Sequence, residues 1–306
     1  MLKHLLILRH GKAEPGTPDY GRGLLDRGKR GSQKIGQWLV DQALVPDRVL
    51  SSSAKRARET AERAIKTAGL RVADITLETD MYLAAPATLA GFIHREANTC
   101  ERLLLVGHNP GFEDLVDLLA TNSQCCRLKT ASMAHLTVDG WNGNIPVCTL
   151  QQVVAAGDLP YQFPFGEGLR ERPAYYFTQS GVIPYRIDNN QLQVLLVRKH
   201  GGTKWGIPKG VVEPGLSAAE SAAREALAEA GAVGRVTSAS LGTTEIKKWG
   251  ATCSLEVFPM RVDELRDSWD NQKWERAWFS IDGAQERVRL DALRPMLETL
   301  GTLVAT

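Results

Sequence analysis

The sequence has few cysteines and no long apolar run. Its five cysteines are odd in number and form no Cys-x-x-Cys pair, and the adjacent Cys125 and Cys126 suit neither an ordinary disulfide nor a zinc site, so we expect free thiols. No apolar run approaches the roughly 20 residues of a membrane-spanning helix. The apolar start ends at Arg9, too early for a signal-peptide core. These absences predict a cytoplasmic protein with no membrane partner.

The sequence also has almost no excess of charge. Lys and Arg number 37 against 35 for Asp and Glu, a net charge of +2. This balance excludes a protein that mainly coats nucleic acid, so no nucleic-acid polymer is expected as a partner, but it permits a local cationic pocket for a phosphorylated substrate. With 43% hydrophobic and 24% charged residues the chain is ordinary and globular, and its 306 residues predict two domains.

A segment crowded with proline, glycine and aromatic residues divides the chain. We predict that residues 151–173 form a linker, since Pro and Gly interrupt regular structure. The first domain then covers residues 1–150 and the second covers residues 174–306. In the first domain, apolar runs such as residues 5–8 and 103–106 alternate with helical patterns. This alternation predicts an α/β domain with a largely parallel sheet.

The second domain has a different order of elements. A helix is predicted to start at Ser217, which forms a capping box with Glu220, and to end before Gly231. A later helix carries Leu293 and Leu297. The predicted strands cover residues 182–187, 192–198, 252–258 and 274–279. We therefore expect an α+β domain around a mixed sheet.

Histidines follow two of the predicted strands of the first domain. His10 and His108 each come directly after an apolar run, and the carboxyl ends of parallel strands form the ligand crevice of such sheets. Arg9 precedes His10, and Arg56 lies at the start of a predicted helix, whose free N–H groups attract anions. Two arginines, two histidines and a helix start predict a pocket for a phosphoryl group.

The motifs around these residues carry a family resemblance over about residues 1–150. They are Arg-His-Gly at 9–11, Arg-Ala-x-x-Thr at 56–60 and Gly-His-Asn-Pro-Gly at 107–111. Together they resemble the histidine phosphatase superfamily, and within it the SixA-like phosphohistidine phosphatases, which form α/β/α sandwiches. The resemblance implies that His10 is the nucleophile and becomes phosphorylated, that Arg9, Arg56 and His108 bind the phosphoryl oxygens, that Arg22 assists, and that no metal is needed. The implied substrate is a phosphohistidine protein or a small phosphorylated molecule.

The carboxylic acid that many members of this superfamily use is missing from the matching segment, residues 78–86. An imidazole leaving group departs more easily than an alkoxide and needs less protonation. The missing acid therefore favours a substrate with a P–N bond over sugar phosphates, and disfavours a phosphoglycerate mutase.

Residues 210–232 resemble the Nudix box, within a resemblance that covers about residues 174–304. The match favours the branch that acts on dinucleoside polyphosphates or diphosphoinositol polyphosphates, so a nucleoside or inositol polyphosphate is the expected ligand. Two of the usual glutamates are replaced, by Leu216 and Ala228. Arg224 would lose its usual partner and is expected to pair with Glu220.

The remaining charges of the box define a candidate metal site. Glu225 and Glu229 are four residues apart on one helix face and would hold Mg²⁺, with Mn²⁺ as the alternative. Lys204 and Lys209 would face the phosphates.

Three functions follow from these features. The preferred one is a bifunctional phosphohydrolase, with a metal-independent phosphatase and a Nudix domain that binds polyphosphates and is a candidate to hydrolyse them. The alternative is a phosphatase regulated by a non-catalytic Nudix sensor, because two glutamates are lost. A pure interaction protein is disfavoured because the first pocket is complete.

Overall fold

The structure is a computed structural model that describes residues 1–123, 125–269 and 273–305. The chain divides into two compact units, Met1–Pro173 and Ala174–Thr306. Each unit contains a sheet with helices on both faces. No helix in the described ranges is long and apolar enough to cross a membrane. The five cysteines are free thiols, of which Cys125 is exposed.

The first unit has a sheet in the order β3-β2-β4-β1-β5-β6. Strands β1, β2, β3 and β4 are parallel, whereas β5 and β6 are antiparallel additions. The strands are β1 (His4–Arg9), β2 (Arg48–Ser52), β3 (Ile75–Glu78), β4 (Arg102–Gly107), β5 (Ser132–Asn142) and β6 (Ile145–Ala155), followed by the short pair β7 (Phe163–Phe165) and β8 (Gly168–Arg170). The helices are α1 (Asp26–Asp41), α2 (Lys55–Thr67), α3 (Pro86–Glu96) and α4 (Gly111–Leu119).

Strand β1 shows why the sequence carries continuous apolar runs. Leu5 and Ile7 are fully buried in the core beneath α3 and α4, while Leu6 and Leu8 are fully buried in the core beneath α1 and α2. Successive strand residues point to opposite faces, so a strand covered on both sides needs apolar residues at every position. The polar residues that follow such a run then lie at the edge of the sheet.

The irregular segment between the two domains begins later than predicted, after residue 155 and not at residue 151. Residues 151–155 instead complete β6, paired with β5, where the β-branched Val153 and Val154 favour extended structure. Of the three aromatic residues that follow, Phe163 is buried and Tyr161 is 58% exposed.

The second unit has a mixed sheet in the order β12-β14-β9-β10-β15, with β11 paired to β9 and β13 paired to β14. Its strands are β9 (Thr178–Asp188), β10 (Gln191–Lys199), β11 (Lys209–Val211), β12 (Ala232–Val236), β13 (Gly242–Lys248), β14 (Ala251–Leu265) and β15 (Trp274–Ser280). Its helices are α5 (Ala218–Ala230), α6 (Ile281–Arg287) and α7 (Leu293–Ala305).

Helix α5 forms where the capping signals predict it. The Ser217 side chain accepts a hydrogen bond from the backbone N–H of Glu220, the Glu220 carboxylate accepts one from the backbone N–H of Ser217, and Gly231 ends the helix at a φ of 61°. An apolar stripe that includes Ala222 and Ala226 packs on the sheet, and small side chains allow a close approach. Glu225 and Glu229, directly before Ala226 and Ala230 in the chain, flank this stripe.

Candidate active sites

His10 follows β1 and is held in one tautomer. Its Nδ1 lies 2.7 Å from the backbone oxygen of Gly11. A carbonyl oxygen only accepts, so Nδ1 carries the proton and Nε2 keeps a lone pair. Arg56 donates from Nε to this Nε2 over 3.2 Å, which agrees with an unprotonated nitrogen. The free nitrogen therefore lies beside a cation that can bind a phosphoryl oxygen.

The surroundings of His10 keep its imidazole neutral. Burial lowers the pKa of His10 to about 4, and the positive charges of Arg56, Arg9 and Arg22 act in the same direction. The hydrogen bond to Gly11 opposes this effect only partly. At neutral pH the Nε2 lone pair is thus available to attack phosphorus.

His108 follows β4, the parallel neighbour of β1, and lies beside His10 with 5.1 Å between the ring centroids. Its Nε2 is 2.9 Å from the Ser52 hydroxyl, and its ring is 3% exposed. Its Nδ1 is buried and has no hydrogen-bond partner among the described residues. Burial lowers the pKa of His108 to about 3, and the charges of His10 and Arg56 add to this. An orphaned imidazole nitrogen at this position suits a ligand oxygen.

Arg56 is 3% exposed and binds a carboxylate that the sequence did not point to. Its Nη1 donates to the backbone oxygen of Asp19 over 2.7 Å, and its Nη2 lies 2.8 Å from Asp19 Oδ2. Arg22 also binds Asp19, and Tyr82 donates its hydroxyl to Oδ2 over 2.6 Å. The Tyr82 hydrogen bond is the main cause that lowers the pKa of Asp19 to about 2. Asp19 is therefore ionised at neutral pH and cannot act as a general acid.

The two remaining predicted arginines lie at the rim of this group. Arg9 donates from Nη1 to the Leu128 oxygen over 2.6 Å, and Arg22 donates from Nη1 to the Glu14 oxygen over 3.1 Å. In both side chains Nε is buried without a hydrogen-bond partner in the part of the chain that the structure describes. Each guanidinium is thus held by a hydrogen bond from Nη1, while its Nε–H donor is unused among the described residues.

Thr60 links the nucleophile loop to α2. Its hydroxyl oxygen accepts a hydrogen bond from the backbone N–H of Gly11 over 2.9 Å and donates to the Arg56 carbonyl over 2.7 Å. This pair of bonds explains why threonine stands four residues after Arg56 in the motif. It fixes the backbone on which His10 and Arg56 meet.

In the second unit two carboxylates converge on the short strand β11. Glu229 Oε2 accepts a hydrogen bond from the Lys209 backbone N–H over 3.0 Å. Glu225 lies directly against Gly210, since a Cβ built on that glycine would fall 2.0 Å from Glu225 Oε1. Burial raises the pKa of Glu229 to about 7, although Lys209 opposes the shift. Because glycine at position 210 has no side chain, it leaves room for the Glu225 carboxylate.

These two carboxylates fit a weak site for a hard divalent cation. Within the described ranges, no group of three or more His, Cys, Asp or Glu side chains is placed to hold a metal ion. Mg²⁺ is commonly held by one or two carboxylates together with substrate phosphates, so Glu225 and Glu229 meet the minimum. Lys248, on β13, interacts electrostatically with both carboxylates, and burial lowers its pKa. Sequence reasoning missed Lys248 because it lies outside the box.

Two sequence expectations in this unit need comment. Arg224 pairs with Glu213 over 3.0 Å, and the expected pairing with Glu220 is wrong, because Glu220 is used in the cap of α5. Lys209 lies beside Glu229, and its expected role of facing the phosphates stays a prediction. Lys204 is exposed, and the structure shows no contact between Lys204 and Glu225 or Glu229 in the parts it describes.

Both parts of the chain match known families. The model of the NUDIX domain matches residues 178–300, and the model of the histidine phosphatase superfamily (branch 1) matches residues 5–81. Nudix hydrolase 18, mitochondrial, of Arabidopsis thaliana is 32% identical over 130 residues, which are 39% of this chain and 73% of that protein. An uncharacterized protein of Mycobacterium tuberculosis (strain ATCC 25618 / H37Rv) is 36% identical over 118 residues, 38% of this chain and 72% of that protein.

Among solved structures, the protein histidine phosphatase SixA complexed with tungstate matches with 21% identity and a TM-score of 0.46, over 51% of this chain and 98% of that one. The chain is a phosphoryl-group hydrolase that joins a domain of the histidine phosphatase superfamily to a domain of the Nudix hydrolase family.

Proposed function

We propose that the N-terminal unit is a metal-independent phosphatase that works through a phosphorylated His10. The observation that carries this proposal is the His10 tautomer, with Nδ1 bound to the Gly11 carbonyl and Nε2 facing Arg56. A neutral imidazole nitrogen among guanidinium groups suits attack on a charged phosphoryl group.

The reaction has two halves. First, His10 Nε2 attacks phosphorus, an N–P bond forms, and the bond to the leaving group breaks with its electron pair on the leaving group. Arg56, Arg9 and His108 bind the phosphoryl oxygens, on which the transition state spreads its charge. Second, a water oxygen attacks the phosphorus, and Nε2 departs with the N–P electron pair. Phosphate is released and His10 returns to its neutral form.

We propose phosphohistidine, or another small molecule with a good leaving group, as the substrate. Asp19, the carboxylate nearest the two arginines in the described structure, is ionised and has no proton to give. An imidazole leaving group needs little protonation, whereas an alkoxide needs a strong acid. The free thiols favour a cytoplasmic location for this reaction.

A quenched single turnover with radiolabelled phosphoramidate tests the phosphatase. We expect an acid-labile, alkali-stable label on the wild-type protein, none in His10→Ala, and an unchanged label in the control His94→Ala, which alters an exposed histidine elsewhere in the same unit. Activity should survive a chelator, because guanidinium groups supply the charge that a cation supplies in other phosphatases. Labelling of His10→Ala at the wild-type rate, or a large loss that Mg²⁺ restores, contradicts the proposal.

For the Nudix unit we propose binding of a nucleoside or inositol polyphosphate with Mg²⁺ or Mn²⁺, and slow hydrolysis. Glu225 and Glu229 would hold the cation, which offsets charge on the polyphosphate when bound. The support is their convergence at Lys209 and Gly210. Because Ala228 removes one carboxylate, cation affinity should be weak.

The alternative is a sensor that binds polyphosphate without cleaving it and regulates the phosphatase. The high pKa of Glu229 and the nearby Lys248 favour it, since both reduce the negative charge available to a cation. Turnover of diadenosine tetraphosphate, measured in a His10→Ala background, separates the two. An enzyme should gain turnover in Ala228→Glu and lose it in Glu229→Gln. Binding without cleavage in every variant and with either metal selects the sensor.

A further inference from the structure

A cavity of 440 Å³ in the first unit is lined by positive charge. The lining residues include Lys12, Arg27, Arg30 and Lys34, and none of them carries a carboxylate. A phosphate group fills only a small part of this volume, which lies in the range of small-molecule sites. The positively charged lining residues favour an anionic ligand.

Three of these cations lie on one face of α1. Arg27, Arg30 and Lys34 are spaced three and four residues apart, so their side chains are neighbours on the helix surface. Like charges at this spacing destabilise a helix. Burial, and secondly the charge of Arg30, lowers the pKa of Lys34. Because no carboxylate among the lining residues offsets this repulsion, an external anion bound in the cavity would relieve it.

The hydrogen bonds divide the four cations into two kinds. Lys34 is structural, because its Nζ donates to the backbone oxygens of Ala156 and Leu159 over 3.0 and 2.8 Å. Arg30 is different: Tyr161 covers its guanidinium at 4.2 Å from the ring centroid, and its Nη1 is buried with no hydrogen-bond partner among the described residues. A buried guanidinium donor without a partner is costly, and an anion in the cavity would satisfy it.

The cavity shares its wall with the loop of the nucleophile. The backbone N–H of Ala131, a lining residue, donates to the His10 carbonyl over 3.0 Å. Lys12 follows His10 by two residues, and its carbonyl accepts a hydrogen bond from Leu25, just before α1. The cationic cavity therefore borders the backbone segment that carries His10.

We propose that this cavity binds a second phosphate group of the phosphatase substrate, held by Arg30, Arg27 and Lys12. The inference rests on the phosphatase function proposed above and makes its preferred substrates small molecules with two separated phosphates. One phosphate is attacked by His10, and the other anchors the molecule. Binding energy from this remote group improves the rate of the reaction at the first.

A series of α,ω-diaminoalkane bisphosphoramidates, compared with the monophosphoramidates of the same diamines, tests the cavity with P–N substrates, the class that the phosphatase proposal favours. We expect one chain length at which kcat/KM for the bisphosphoramidate exceeds that of its monophosphoramidate by tenfold or more. Arg30→Gln should remove most of this advantage and leave the monophosphoramidate rate within twofold. Arg27→Gln repeats the test at an exposed position, where misfolding is not a concern. Lys29→Gln, on α1 but outside the lining, is the matched control and should change neither substrate.

The inference is overturned if no chain length gives the doubly phosphorylated substrate an advantage, or if Arg30→Gln and Arg27→Gln lose equal activity on both substrates. A calorimetric titration of butane-1,4-diol bisphosphate into His10→Ala, with and without Arg27→Gln, measures the cavity without turnover. Absence of hydrolysis and of label in the wild type defeats the phosphatase proposal alone. Binding to His10→Ala that Arg27→Gln does not weaken defeats the cavity proposal alone.

Discussion

Lowering the pH from about 7.5 to about 5.5 should leave the imidazole of His10, the proposed nucleophile, almost fully neutral. An ordinary histidine, with a pKa of 6.5, would be only about 9% neutral at the lower pH. With burial and three arginines that lower the pKa of His10 to about 4, the neutral fraction stays near 97%. The predicted difference in available nucleophile is about tenfold.

The same pKa has a consequence for stability, with a definite sign. The unfolded chain binds a proton at His10 near pH 6.5, whereas the folded chain resists it down to about pH 4. The free energy of unfolding therefore falls as the pH drops through this window, and is not affected by His10 above it. The full difference corresponds to at most about 3 kcal/mol, and less because the ring is partly exposed to water.

Carbon-13 NMR of histidine-labelled protein measures the protonation directly, with His10→Asn to assign the signal. Rapid-quench measurement of the labelled phosphoryl-enzyme, at saturating substrate, then reports whether the acid limb of the reaction follows the same midpoint. A His10 signal that titrates near pH 6.5, or a label that falls tenfold between the two pH values while the protein stays folded, would refute the reasoning from burial.

Three further predictions concern packing and charge. Gly28→Ala places a Cβ 2.2 Å from the Lys12 backbone oxygen and should lower the free energy of unfolding by more than about 2 kcal/mol in urea titrations, whereas Gly91→Ala, with open space around it, should be neutral or slightly stabilising. Gly210→Ala should leave the fold intact but displace the Glu225 carboxylate, so Mn²⁺ affinity measured by electron paramagnetic resonance should fall; an unchanged affinity removes Glu225 from the site. Asp19→Asn should bind tungstate more tightly, by a factor on the order of ten, because the anion no longer meets a carboxylate. Weaker tungstate binding in Asp19→Asn would instead show that Asp19 mainly positions the arginines.

The parts of the molecule that the sequence predicts are those fixed by local patterns. Apolar runs locate β1 and β4, and a polar residue directly after a buried strand of a parallel sheet must lie at its carboxyl edge. This rule brings His10 and His108 together without any knowledge of the fold. Helix α5 is similarly local, since its cap and its terminal glycine are both visible in the sequence.

The contacts that the sequence does not predict join residues through loops. Asp19 and Tyr82 are 63 positions apart, and their hydrogen bond depends on two short 3₁₀ turns, Asp19–Gly21 and Thr79–Met81, that no periodic pattern announces. Lys248 lies near enough to Glu225 and Glu229 to interact electrostatically because its strand, β13, pairs with β14. Loop geometry and strand pairing set these distances, and neither produces a recognisable pattern in the sequence.

The residues found only in the structure change how both sites should bind their ligands. In the first, Asp19 already neutralises Arg56 and Arg22, the groups that a phosphoryl dianion would use. In the second, Lys248 already interacts with Glu225 and Glu229, the groups that a cation would use. A ligand must compete with an existing charge partner in each case, so its net gain is smaller than the attraction of a bare site. Such sites discriminate by charge number, because a singly charged ion gains little from the exchange whereas a phosphoryl dianion or a divalent cation gains more. This favours doubly charged ligands over the abundant monovalent ions of the cell.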